Sequence, residues 1–218
     1  MEVCPLCQND NFQPEVKGPQ NRWFHFCENC KLVFEPKDNR PARSEERERY
    51  LKHDNSIHHK GYVNYLNRAV KPALPLLKTG FRGLDFGCGP MPTLNRLLEK
   101  QGYTCEFYDP IFFPEYPLGT FDFIFATECF EHFFRPANEL QKLSDLLNSG
   151  GILVVMTKMW NDTRKFEKWR YAHDSTHVVF YHEDTFRFIA RNYGFKLLEI
   201  KNENVIILQK TLRNLKKA

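Results

Sequence analysis

The sequence predicts an α/β protein: a mostly parallel sheet crossed by helices, closed by an antiparallel hairpin and preceded by a small cysteine-rich module. Short apolar runs, FRGLDF, CEFYD, FDFIFAT and GILVVMT, alternate with the amphipathic stretches TLNRLLEKQG, PANELQKLSDLLN and DTFRFIARNYG. Strands alternating with helices form crossover units, because a parallel neighbour is reached only through a long connection. After the last helix come FKLLEI, a polar KNEN turn and VIILQK, which read as an antiparallel hairpin. Before residue 43 neither period is present, and cysteine pairs stand at both ends of a turn-rich segment.

Length and composition set the bounds. The 218 residues give room for one full domain and a small module. Charged residues at 27%, hydrophobic ones at 42% and a net charge of +4 spread through interspersed Glu and Lys imply a mixed, solvated surface without a dedicated polyanion-binding face. Twenty Phe and nine Tyr either fill a Phe-rich core or line a pocket for a planar ligand. No apolar run approaches the roughly 20 residues that span a bilayer. MEVCPLCQND lacks the layout of a secretion signal, so no membrane association and a cytoplasmic location are expected. Thiols stay reduced there, and paired cysteines then point to a metal.

By texture the chain divides into residues 1–43, a linker of residues 44–79 and a main domain of residues 80–218. Cys4-x2-Cys7 and Cys27-x2-Cys30 enclose nineteen residues. Each pair aims two thiolates at one point, and two such knuckles complete a closed tetrahedral shell around Zn²⁺, so the metal is structural and the module a zinc ribbon. A module this small buries too little surface to fold without it. His25 is the alternative ligand, or otherwise a strand residue. Cys88, Cys105 and Cys129 fall in or beside apolar runs, where Cys acts as a small hydrophobe. The linker opens with Ser44 ahead of Glu residues, breaks near Gly61 and Pro72, and predicts two helices. Its Tyr50, His53, Tyr62 and Tyr65 either form a lid over a ligand site or the seam between the modules.

In the main domain, GLDFGCGPMPTLNRLL is a strand ending at Asp85, a loop with Gly87, Cys88 and Gly89, and a helix opening at Pro92 or Thr93. Glycines there let backbone approach a ligand closely. The next strand ends at Asp109, placed to accept hydrogen bonds from ribose hydroxyls. Together these features fit an adenosine-containing cofactor. The dinucleotide fingerprint asks for a third Gly and a helix N-terminus open to a pyrophosphate. Pro92 stands at that third position, so a cofactor without phosphates fits better.

With these motifs the sequence resembles the class I S-adenosylmethionine-dependent methyltransferases, from Gly80 to Lys210. DFGCGP matches the family's D-x-G-x-G loop, Asp109 its second-strand acid, FDFIFATECFEHF its fourth strand with a trailing Glu-His, and LLNSGGILVV its turn into strand five. The resemblance implies a Rossmann-like methyltransferase sheet with S-adenosylmethionine as donor. It places Asp85, Gly87, Cys88 and Gly89 around the methionine part and Asp109 at the ribose, with Pro110 and Glu128 as further cofactor contacts. One departure matters: only the eleven residues PIFFPEYPLGT separate Asp109 from Phe121. A helix and a third strand need about thirty, so both are expected to be missing. The adenine would then pack on Ile111 or Phe112.

Glu128-x2-Glu131-His132 follows strand four at the rim where ligands bind in open α/β sheets. This arrangement resembles ubiquinone-pathway O-methyltransferases and small-RNA 2′-O-methyltransferases, in which Mg²⁺ orients substrate hydroxyls. It implies Glu128, Glu131 and His132 as a second metal site; the same residue types also occur in the superfamily without metal. Further on, Asp174 either orients His177 as a base toward a hydroxyl acceptor or caps the loop, and His132 is the second candidate base. Methyl transfer from a sulfonium depends mainly on alignment and desolvation, so no single residue need be indispensable.

The expected activity is methyl transfer to a small-molecule acceptor, a hydroxyl of an aromatic, quinol-like or sugar compound. Similar N-terminal zinc modules in sugar C-methyltransferases keep deoxysugar acceptors open. The first rival is an RNA methyltransferase gripping nucleic acid with its ribbon. Against it, the ribbon sets Lys17, Arg22 and Lys31 beside Glu2, Asp10, Glu15 and Glu28. The second rival is a non-catalytic interaction protein, against which the intact Asp85, Gly87, Gly89 and Asp109 speak.

Overall fold

The alternating pattern folds as it reads. The structure, a computed structural model, describes residues 2–10, 12–51 and 55–211. The cysteine segment holds β1 (Phe12–Lys17), β2 (Trp23–Cys27) and β3 (Val33–Phe34), and the linker holds α1 (Arg43–Tyr50) and α2 (Lys60–Ala73). Then follow β4 (Arg82–Phe86), α3 (Thr93–Glu99), β5 (Thr104–Tyr108), β6 (Phe121–Thr127), α4 (Pro136–Leu146) and β7 (Leu147–Met156). The chain closes with β8 (Val179–Phe180), α5 (Glu183–Asn192), β9 (Phe195–Lys201) and β10 (Val205–Lys210).

The main sheet has the order β5–β4–β6–β7–β10–β9. Its first four strands are mutually parallel, while β10 runs antiparallel to both β7 and β9. Between β5 and β6 there is only an isolated bridge from Asp109 to Phe113, so the helix and third strand are absent, as the eleven-residue spacing requires. The linker differs in detail from its sequence reading. Gly61 lies in the first turn of α2, where the His59 side chain accepts the Tyr62 N–H, and Pro72 sits inside the last turn. A proline so near the helix end forfeits one hydrogen bond and leaves the rest intact. Strand β7 starts at Leu147 directly after α4, so residues 148–151 belong to the strand and not to a turn.

Helices α2 and α3 cover one face of the sheet, with Leu66, Val70, Leu94 and Leu98 on Phe123, Phe125, Val154 and Ile207. The other face takes α4, α5 and the cysteine segment around Phe121, Ile124, Phe130 and Phe186. The Phe-rich composition is therefore largely core: nine Phe are among the largest fully buried side chains. A Cβ on Gly83 of β4 would lie 2.0 Å from the ring of its cross-strand partner Phe123. Gly83→Ala is expected to destabilise the protein by about 3 kcal/mol through overpacking. An unchanged urea midpoint would contradict that packing.

The cysteine segment does not stand apart. Its small sheet runs β1–β2–β3–β8, and β8 comes from the connection between β7 and α5. Thus the segment that the sequence places before α5 is drawn onto the cysteine module.

Candidate active site

The loop after β4 turns at Gly87 (φ 76°) and Gly89 (φ 68°), in the left-handed region that favours glycine. A Cβ on Gly87 would also lie 2.6 Å from Cβ of Cys129. The N–H groups of Gly87 and Cys88 donate to the Tyr108 carbonyl at the end of β5 (2.8 and 3.2 Å). Asp85 is buried, and its Oδ1 has no hydrogen-bond partner. Burial, assisted by the charge of Asp109, pushes its carboxyl up to about 7. A buried carboxylate oxygen with no partner is costly until a cation or donor reaches it, and the α-ammonium of a methionine moiety is such a group.

Asp109 is more committed than the sequence suggests. Its Oδ2 accepts the Gly89 N–H at 3.0 Å, and its Oδ1 accepts those of Ile111 (2.8 Å) and Phe112 (3.0 Å). With about four acceptor sites on a carboxylate, one is left for a ribose hydroxyl. A cleft of about 670 Å³ opens beside it, lined by Gly87, Asp109, Pro110, Ile111, Cys129 and His132. Phe112 packs instead on Tyr50 of α1, whose ring also lies 5.2 Å from that of His132. On α2, Tyr65 donates its hydroxyl to Glu128 Oε1 at 2.7 Å, and burial beside Asp85 and Glu128 raises the Tyr62 phenol above its ordinary range. These three tyrosines face the loop and its acids; His53 lies outside the described residues.

At the end of β6 the chain holds Glu128 at φ 50°, with its N–H donating to the Met156 carbonyl. Strain at a non-glycine residue persists only where the surroundings impose it. Three residues on, Glu131 is buried: its Oε2 accepts the Thr157 hydroxyl at 2.8 Å, and its Oε1 has no partner. Burial, with Glu128 adding like charge, pushes its carboxyl up to about 8.

Two imidazoles face this acid. Nδ1 of His132 lies 3.0 Å from the Thr176 carbonyl and Nδ1 of His177 2.7 Å from the Tyr171 carbonyl. A carbonyl can only accept, so each Nδ1 carries a proton and donates it. The rings meet edge to face at 4.8 Å, and His132 Nε2 is 4.0 Å from Glu131 Oε1. Burial depresses the His177 imidazole to about 4, so it is neutral at pH 7.

A ligand atom from each of Glu131, His132 and His177 lies within 4.8 Å of the others. Two imidazoles backed by carbonyls and a carboxyl with one unpartnered oxygen fit a divalent cation, with its outer shell in place. The expected set of Glu128, Glu131 and His132 is thus altered: Glu128 turns to Tyr65, and His177 takes its place.

Of the two readings of Asp174, the cap forms and the pair with His177 does not. Asp174 Oδ1 accepts both the N–H (3.0 Å) and the hydroxyl (2.7 Å) of Thr176, and Oδ2 accepts from Arg49 (2.9 Å). In a tight turn the nearer backbone N–H captures the carboxylate, so Asp174 caps the loop and the Tyr171 carbonyl orients His177.

The fold and these motifs meet in one comparison: the model of the methyltransferase-domain family matches residues 57–200, more than half of the chain. The chain belongs to that family. It is an S-adenosylmethionine-dependent methyltransferase, and solved structures agree on the fold. A Bacillus halodurans protein assigned as a methyltransferase superposes with a TM-score of 0.50 at 12% identity, covering 67% of this chain and 99% of its own. A chain from the complex of a Haloferax volcanii methyltransferase with its activator gives 0.51 at 13% identity, covering 70% and 92%. No curated protein matches the chain.

The N-terminus of the methyltransferase gathers Cys4, Cys7, Cys27 and Cys30, one sulfur from each within 4.8 Å of the others. Sγ of Cys4 lies 3.5 Å from that of Cys30, and Sγ of Cys7 3.4 Å from that of Cys27. His25 is turned away, with its Nε2 3.3 Å from Glu2. The sequence reading missed how this module reaches the site. Arg22, counted there only in the charge balance of the ribbon, is tied to Glu35 and to carbonyls of the 171–177 segment, the latter about 150 residues away, which no local pattern signals. Thr157 was missed as well; its hydroxyl lies 3.2 Å from that of Tyr171 beside Glu131. Among the described residues no helix is long and apolar enough to cross a membrane.

Proposed function

We propose that this methyltransferase transfers a methyl group to a hydroxyl of a small molecule, with S-adenosylmethionine in the cleft beside Gly87 and Gly89. The single observation that carries the reading is the unpartnered Oδ1 of the buried Asp85 carboxyl beneath that loop, with the Glu131–His132–His177 cluster at the same rim of the sheet. When bound, the cofactor supplies an electrophilic methyl group on a sulfonium. Asp85 binds the ammonium, Asp109 offers its remaining acceptor site to the ribose, and Ile111 forms the apolar wall on the adenine side. Tyr50, Tyr62 and Tyr65 shield the site from water, which strengthens each of these contacts.

Glu131, His132 and His177 would hold a divalent ion, which supplies Lewis acidity toward an acceptor hydroxyl. The resemblance implies Mg²⁺, but two imidazoles with one carboxylate suit Mn²⁺ or Zn²⁺ better. A structural Zn²⁺ is proposed for the four cysteines. Against an RNA-gripping ribbon, Arg22 is buried in an ion pair and Lys17 is paired with Glu167 at 2.8 Å.

Calorimetry with S-adenosylmethionine, followed by incubation of metabolite extract and total RNA with methyl-labelled cofactor, tests the reading. Micromolar binding and label in the metabolite fraction are expected. Absence of binding at millimolar cofactor would favour a docking protein, and label in RNA would favour the first rival. Glu131→Gln is expected to lower label transfer about a hundredfold while cofactor affinity stays within twofold.

A further inference from the structure

Arg22 stands just before β2, the strand that ends in Cys27, and Glu35 directly follows β3, which comes after Cys30. The two cysteine knuckles therefore set where this pair points. Nε and Nη2 of Arg22 donate to the two carboxylate oxygens of Glu35 at 2.9 and 2.7 Å, a bidentate pair with side chains 14% and 4% exposed. The remaining guanidinium hydrogens go to backbone carbonyls: Nη1 to Ala172 and Asp174 (both 3.0 Å) and Nη2 to His177 (2.8 Å). Five donors meet five acceptors.

Elsewhere the segment is held at its turn by the Asp174 cap on Thr176 and at its end by the Val178 N–H donating to the Glu131 carbonyl at 2.9 Å, but the carbonyls that meet Arg22 lie outside regular structure. Residues 170–173 are a 3-10 turn and residues 174–178 an irregular turn, so no sheet ladder or α-helix satisfies these carbonyls. Two more carbonyls of the segment, those of Tyr171 and Thr176, are the ones that orient His177 and His132. Displacing the segment would remove the carbonyl that orients His177 and one of the partners of His132, whose Nδ1 also lies 3.7 Å from Glu46.

We propose that Arg22, locked by Glu35, is a positioning residue for the acceptor side of the site: it fixes the 171–177 segment and thereby the Nδ1–H tautomers of His177 and His132. The cysteine module is on this account a built-in part of the acceptor site. The proposal rests on the methyltransferase reading for its activity arm alone. A planar fork is required, because an ammonium offers three donors without the geometry to meet a carboxylate and three carbonyls together.

The test uses the full chain with Arg22→Gln, Arg22→Lys and Glu35→Gln. Three readouts are taken: cofactor affinity by calorimetry, histidine ring ¹⁵N shifts, and label transfer into metabolite extract at saturating cofactor. The expected result is unchanged cofactor affinity within twofold, loss of the single His177 tautomer and a fall of at least tenfold in transfer for Arg22→Gln, with no rescue by Lys. Glu35→Gln should keep the fold, since one carbonyl acceptor remains, and shift the tautomer in the same direction. A retained His177 tautomer in either glutamine variant that stays folded overturns the proposal. Should the wild-type chain fail to bind cofactor, the functional reading falls, and the tautomer arm still decides the role of Arg22.

Discussion

Replacing Cys30 by Ser is expected to abolish the zinc binding proposed for the four cysteines and to lower the unfolding temperature by about 8–16 °C. Structural zinc contributes about 10–16 kcal/mol of apparent binding energy in small peptides, as much as the whole net stability of a typical domain. Here the loss cannot stay local. Cys4, Leu6, Cys27 and Cys30 belong to the same apolar core as Phe130 and Phe186. The Tyr193 hydroxyl donates to the Leu6 carbonyl at 2.6 Å, and the Glu35 N–H donates to that of Val178 at 2.8 Å. Loosening the knuckles therefore withdraws partners from α5 and from the chain leading into β8. A loss of about 4 kcal/mol shifts the midpoint by roughly 8–16 °C in a chain of this size. Metal analysis with thermal unfolding measures both effects, and a variant that binds no zinc yet melts within 2 °C of the wild type would show the metal to be dispensable.

What could be read in advance follows the range of the interactions. The strand and helix periods, the glycine turn at Gly87 and Gly89, and the missing unit after Asp109 are local in the chain, and each stands in the structure where the sequence placed it. The cysteine cluster was legible because spacing alone brings thiols together. The acid–imidazole cluster was legible only in part. Glu131 and His132 are neighbours in sequence, but which third residue joins them depends on how a distant turn folds, and the pairing of Glu128 with Tyr65 spans 63 residues. For Asp174 the spacing left a cap and a contact with His177 both open, and the turn that creates the spacing decides for the cap by supplying a nearer donor, the Thr176 N–H. Arg22 and Glu35 could not be found at all: in sequence they are two ordinary charges, and burial in a shared interface gives them their role.

The second large effect concerns pH. Asp85 carries a folded-state pKa of about 7 against an ordinary 3.8, chiefly because burial penalises its charged form. A carboxyl raised in this way binds a proton in the folded chain that the unfolded chain has already lost between pH 3.8 and 7. Its contribution to stability is thus fully present below 3.8 and lost as pH rises through 7, the reverse of a salt-bridged acid. A cofactor ammonium changes the balance, since it pairs with the ionised carboxylate and restores what burial withdrew. Affinity for S-adenosylmethionine is therefore expected to tighten about tenfold per unit between pH 5.5 and 6.5 and to level off above pH 7.5. Asp85→Asn should bind the cofactor at least tenfold more weakly at pH 7.5 and lose most of this slope, while its own stability changes less with pH than that of the wild type. Calorimetry across that range, with urea unfolding of both proteins without cofactor, reads the two signs separately. Equal slopes in the two proteins would mean that Asp85 does not meet the ammonium, and the cofactor would then have to be anchored by the backbone of the glycine loop and Asp109 alone.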